Sequence, residues 1–229
     1  MHAGAAVLGR SDPRAWQAQR SSSVYLEYYG LKEPPFDITP NPRFLFYTAK
    51  HREAFNHMLY GIRERKGFVQ LTGEVGAGKT TLCRAVLEEL GDQYETALIL
   101  NPVLNTDQLI KAIALEFGLS VDGLDRLETV AALNDFLLRQ VDQHRDVVLI
   151  IDEAQNLELS TLKVILTRMS RDSKVVFCGD LSQVDNPYIS PFGGMAALIE
   201  KFKGSPLFGH ITLERSVRSQ LAEMAASVV

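Results

Sequence analysis

The chain has 229 residues, 46% hydrophobic and 23% charged, with a formal net charge of −4. This composition fits one globular domain with a full core, and the acidic balance excludes a global basic signature for nucleic acid, leaving only a local groove open. Two distant cysteines, Cys83 and Cys178, without a CxxC or Cys/His cluster, exclude a disulfide framework and read as reduced core thiols.

Residues 1–23 are small, polar and weakly basic without periodicity, and read as a flexible tail. From Tyr25 the stretch "YLEYYGLKEPPFDITPNPRFLFYTA" is aromatic and proline-punctuated, which predicts a packed irregular arm. "KHREAFNHMLYGIRERKG" predicts a helix with Ala54, Met58 and Ile62 on one face. Its basic run, residues 63–66, reads as a solvated helix end. "GFVQLTG" predicts a buried strand, and "KTTLCRAVLEELG" a helix ending at Gly91. "TALILN" follows as a strand, then helices over "TDQLIKAIALEFG" and "LETVAALNDFLLRQVDQH", the second with Leu127, Val130, Leu137 and Val141 on one face. "VVLIID" predicts a strand, "STLKVILTRMS" a helix, "KVVFCGD" a strand, "GGMAALIEKFKG" a helix, "HITLE" a strand and "RSQLAEMAASVV" a last helix. Near-continuous apolar strands alternating with helices predict a three-layer α/β fold with a five-stranded parallel sheet in RecA-like order, without a helical lid.

Chemistry enters at "GEVGAGKTT". Gly73, Gly78, Lys79 and Thr80 satisfy G-x-x-x-x-G-K-[ST] between a strand and a helix. Glycines let the backbone of Gly73, Glu74, Val75, Gly76, Ala77 and Gly78 wrap a phosphate, and the helix N-terminus adds its dipole. Lys79 is expected on the β- and γ-phosphates of ATP, the Thr80 hydroxyl on Mg²⁺, and Thr81 on the α-phosphate. The strand "VVLII" ends in Asp152 and Glu153. Two buried acids there would cost several kcal/mol uncompensated; Asp152 as a Mg²⁺ ligand and Glu153 as the base for an attacking water resolve the conflict. The predicted organisation is a tail (1–23), an arm with one helix (24–66) and a P-loop ATPase core (67–229). His51, His57 and His144 lack metal spacing and read as packed or solvated. No apolar run approaches the ~18 residues that span a bilayer, and no secretory signal is evident, so the expected location is cytoplasmic.

Residues 25–157, through the arm, "GFVQLTGEVGAGKTT" and "LIIDEAQNL", resemble the ExeA/GspA-type ATPases of bacterial general secretion systems. That resemblance implies ATP hydrolysis in the service of a protein partner. It also implies that Pro35, Phe36 and Tyr47 wall the adenine pocket; plain packing of the arm is the alternative. From residue 152 to 226 the chain is instead similar to PhoH-like ATPases, through "DEAQN", "LTR", "GDLSQ", "FKGSPLFGH" and "RSQLAE". That resemblance implies an ATP-driven RNA or DNA remodeller. "GDLSQ" is also similar to the Gly-Asp-x-x-Gln of superfamily-one helicases, which implies that Gln183 meets the γ-phosphate or the attacking water, supported by Asp180. The PhoH-like resemblance places Arg218 on the transition-state charge, in cis or from a neighbouring subunit of a homo-oligomer. Arg215 is the competitor. The chain changes character at the shared "DEAQN", as a natural or assembled hybrid would. A nucleotide-gated scaffold with little hydrolysis is a third reading.

Overall fold

The structure, a computed structural model, describes residues 26–32, 47–100, 102, 105–168, 172–181 and 194–213. The chain divides into two compact units, Met1–Phe44 and Leu45–Val229. In the first, residues 26–29 are helical where the sequence predicts irregular chain. Gly30, at φ 63°, closes that turn: its N–H donates to Glu27 O, and Leu31 N–H donates back to Leu26 O at 2.8 Å. This paired closure satisfies the last carbonyls and needs a left-handed residue, here a glycine.

The second unit begins with α1 (Ala49–Arg63), β1 (Phe68–Gly73), α2 (Lys79–Leu90) and β2 (Tyr94–Ile99). It continues with α3 (Thr106–Glu116), α4 (Arg126–Asp142), β3 (Asp146–Ile151), α5 (Leu159–Arg168), β4 (Ser173–Gly179), α6 (Gly194–Phe202) and β5 (Phe208–Leu213). The five strands form one sheet in the order β2-β3-β4-β1-β5, every pairing parallel. The α/β fold with a five-stranded parallel sheet is therefore the one the sequence predicts.

Strand β3 shows why the layers form. Val148 and Ile150 point into one cluster with Met58 and Ile62 of α1 and Leu82 and Val86 of α2. Leu149 and Ile151 point the other way, into a cluster with Leu109 of α3, Leu162 of α5 and Leu198 of α6. A strand covered on both faces has no polar alternation, which is the pattern read from "VVLII". On α1, Ala54, Met58 and Ile62 are buried as predicted. Burial of a side chain such as Met58 or Ile62 contributes about 1.5–3 kcal/mol.

Helix α4 keeps its expected face in part. Thr129, Phe136 and Gln140 are its buried residues, whereas Leu127 is exposed. Asp125 and Glu128 form a reciprocal capping box, and Thr129 Oγ1 donates to Asp125 O. The two reciprocal bonds satisfy free amides at the helix start. Phe136 then packs on Phe117 of the α3 terminus, centroids 5.1 Å apart. Val130 and Leu137 are left lining an apolar cavity of about 50 Å³.

Cys83 and Cys178 are free, buried thiols whose sulfurs lie 3.0 Å apart. Their hydrogen bond, reinforced by burial, pushes the Cys178 thiol well above its usual range, so this sulfur stays protonated and inert. The basic run ends α1 as expected: Arg63 meets Glu89 at 3.4 Å, and Arg65 meets Asp146 and Asp172 at 3.2 and 3.0 Å. The predicted last helix lies outside the described residues. Among the described residues, no helix is long and apolar enough to cross a membrane.

Candidate functional site

Parallel pairing puts the carboxyl ends of β1, β3 and β4 on one edge of the sheet. The register aligns Thr72 with Gly179 and Ile151 with Phe177. Gly73, Asp152 and Asp180 therefore leave the sheet side by side, where ligands bind in open α/β sheets.

The loop after β1 bends through Gly76 at φ 79° and Gly78 at φ 82°, conformations open to glycine at no steric cost. Helix α2 then begins at Lys79, with Leu82 N–H to Gly78 O as its first internal bond. The amides of Lys79, Thr80 and Thr81 thus have no partner inside the helix. A side chain caps α1 (Thr48), α3 (Asn105) and α4 (Asp125), but α2 has Gly78 at this position and no side-chain cap. The Lys79 side chain curls back, and its Nζ donates to Gly73 O at 2.8 Å and Glu74 O at 2.9 Å.

Across from the helix start, Asp152 is 2% exposed. Its backbone N–H extends the ladder by donating to Ile99 O at 2.9 Å. Its carboxylate accepts from the Thr80 hydroxyl and, at 3.1 Å, from the Glu153 N–H. The sequence-predicted pair of Thr80 and Asp152, 72 residues apart, is thus in direct contact. Glu153 sits in the left-handed region at φ 53°, ψ 33°, a conformation costing a non-glycine residue of order 1–3 kcal/mol.

Gln155 emerges from the structure as a residue the sequence reading passes over. Val75 N–H donates to Asp180 Oδ2 at 3.0 Å, and Asp180 N–H donates to Gln155 Oε1 at 3.1 Å. Gln155 Nε2 in turn donates to the Glu153 carboxylate. Three hydrogen bonds therefore run from the glycine-rich loop to the acid beside Asp152. The signal was in "DEAQN", but the partner of its glutamine is 25 residues away. The chain explains Gly179 as well: a Cβ there would fall 2.3 Å from Gln155 Oε1 and 2.9 Å from Met195 Sδ. Gly179→Ala is expected to lower the melting temperature by about 2–10 °C, from an overpacking cost of ~1–3 kcal/mol. An unchanged melt in differential scanning calorimetry would show that Gln155 yields freely.

Of the other residues singled out by sequence, Tyr47 is half-buried and meets Phe55 edge to face at 5.7 Å. Burial pushes its phenol upward, with Glu88 and Glu89 adding to the effect. His57 and His144 are exposed. His51 is buried, with Nε2 2.8 Å from Ala77 O. Pro35, Phe36, Gln183, Arg215 and Arg218 lie outside the described residues.

Residues 62–183 match the family model described as an AAA domain. The chain belongs to that AAA domain family. Within this AAA protein, residues 139–229 also match the model of the PhoH-like protein, so the two spans overlap at 139–183, around "DEAQN". General secretion pathway protein A of Aeromonas hydrophila is 42% identical over 154 residues, covering 66% of this chain and 28% of that protein. Protein PhoH2 of Bacillus subtilis is 31% identical over 196 residues, covering 73% of this chain and 44% of that protein. The chain thus spans less than half the length of either relative. The fold is that of P-loop ATPases. The Aeropyrum pernix ORC2 protein superposes with a TM-score of 0.50 at 16% identity, over 72% of this chain and 48% of that one. Cdc6p from Pyrobaculum aerophilum does so with a TM-score of 0.50 at 18% identity, over 77% and 48%.

Proposed function

We propose that this chain binds ATP at the loop of residues 73–81 and hydrolyses it. The contact between the Thr80 hydroxyl and the buried Asp152 carboxylate carries the reading. A P-loop helix left uncapped by any side chain faces an acid pair that needs a positive partner. These hard oxygen donors fit Mg²⁺, which prefers one or two protein ligands completed by substrate phosphates and water. Thr80 and Asp152 would hold the ion, directly or through water, and it would neutralise phosphate charge.

The protein's own residues supply the rest. The loop and first-turn amides bind the phosphates. Lys79 exchanges its two loop carbonyls for phosphate oxygens. Glu153 accepts the proton of the attacking water, and Gln155 fixes the carboxylate's orientation through its Nε2. By resemblance, Gln183 meets the γ-phosphate and Arg218 the transition-state charge, the latter in cis or across a homo-oligomer.

The 42% identity to a general secretion pathway protein supports a cycle that works on a protein partner. The PhoH-like match over residues 139–229 favours a second reading, an ATP-driven RNA or DNA remodeller. Steady-state ATP hydrolysis at low salt, with and without single-stranded RNA and at two protein concentrations, separates them. Turnover per subunit that rises with concentration and ignores RNA is expected from the first reading. Stimulation by RNA would replace it with the second. Tight ATP binding without turnover would sink hydrolysis itself and leave a nucleotide-gated scaffold.

A further inference from the structure

His51 is buried, 5% exposed, and both ring nitrogens are engaged. Ala77 O only accepts, so the Nε2 atom 2.8 Å from it must carry the hydrogen. Thr48 Oγ1 accepts from the His51 backbone N–H at 3.2 Å as the N-cap of α1. Its own proton is then free for Nδ1, 2.8 Å away. In the neutral ring every donor has one acceptor, and the Nε2–H tautomer is fixed.

The bond falls at a point where the loop has a conflict to resolve. A phosphate-binding loop turns amide N–H groups inward, so some carbonyls must turn outward, away from the anion. Ala77 is 1% exposed, and a buried carbonyl turned from the site needs a donor. The following residue, Gly78, is at φ 82°, and a Cβ on it would stand 3.2 Å from His51 Nε2. The peptide joining Ala77 to Gly78 is thus flanked by a residue that could let it rotate and a ring that holds its carbonyl out.

We infer that His51 is a positioning residue for nucleotide binding, one that locks the Ala77 carbonyl away from the phosphates. The inference rests on the ATP-site reading above. Without the donor, this peptide can turn its carbonyl inward, where its oxygen repels a phosphate. A lost buried hydrogen bond of this kind shifts an equilibrium by about tenfold or more.

Two isosteric changes separate this role from helix capping. Glutamine places its amide nitrogen near the position of Nε2, and asparagine places its near Nδ1. Titration calorimetry with ATP and Mg²⁺ on the full chain is expected to give His51→Gln within about threefold of wild type. His51→Asn and His51→Ala are expected to bind at least about tenfold more weakly. Equal affinity in all four proteins, or rescue by asparagine rather than glutamine, would overturn the inference. Absence of ATP binding by wild type would instead overturn the ATP-site reading, and this inference with it. Should the variants fold poorly, ¹⁵N spectra of the wild-type imidazole at mildly alkaline pH still decide: Nε2–H is expected, and an Nδ1–H ring would overturn the assignment.

Discussion

Lys79→Ala is expected to abolish measurable ATP binding. The residue is 5% exposed, and its ammonium is held by two carbonyls of its own loop, Gly73 O and Glu74 O. It is already poised within the concave side of the backbone that would wrap the phosphates. Hydrogen bonds to charged groups contribute ~1.5–3 kcal/mol each, so two lost phosphate contacts weaken binding by at least about a hundredfold. Truncation also leaves both carbonyls without the donor, which loosens the loop. Titration calorimetry with ATP checks this, with the melting temperature as a control. Binding within about tenfold of wild type would remove Lys79 from the phosphate-binding role.

The legibility of such residues from sequence follows from the range of their contacts. The glycine-rich loop is a local object: strand, turn and helix start lie within residues 68–90, and the spacing of Gly73, Gly78, Lys79 and Thr80 encodes it. Asp152 was legible because a buried acid at the end of "VVLII" demands a partner, although Thr80 as that partner is a tertiary fact. His51 and Gln155 were not legible. Their partners are 26 and 25 residues away, and no periodicity announces a side chain that bonds to a backbone amide or carbonyl. Helix α4 was legible in part. Val130 and Leu137 of the expected face line the apolar cavity with Ile113 and Leu149, whereas the burial of Phe136 on Phe117 and the exposure of Leu127 are tertiary facts.

The same distinction bears on the two resemblances. They meet at "DEAQN", and the structure gives a physical reason why the shared stretch holds the halves together. Asp152 bonds to Thr80 of the N-terminal half, while Gln155 bonds to Asp180 of the C-terminal half. Asp180 in turn reaches back to Val75 in the loop. The contacts of Asp152, Gln155 and Asp180, all within the overlap, thus close on the loop of residues 73–81, and a chain that changes character there keeps a single connected centre.

Glu153→Gln is expected to lower turnover by ~10²–10⁴-fold, the usual worth of positioned acid–base catalysis, while ATP binding stays within a few-fold of wild type. The substitution suits the geometry. A glutamine keeps an oxygen to accept the Gln155 Nε2 hydrogen bond and keeps the backbone N–H that donates to Asp152. What it removes is the basic oxygen that takes a proton. Single-turnover hydrolysis with excess protein isolates that step from product release. A Glu153→Gln variant that binds ATP but cleaves it slowly supports Glu153 as the base. Equal single-turnover rates would transfer the role elsewhere and leave the strained backbone at φ 53° to be explained by the hydrogen bonds of Asp152 and Gln155 alone.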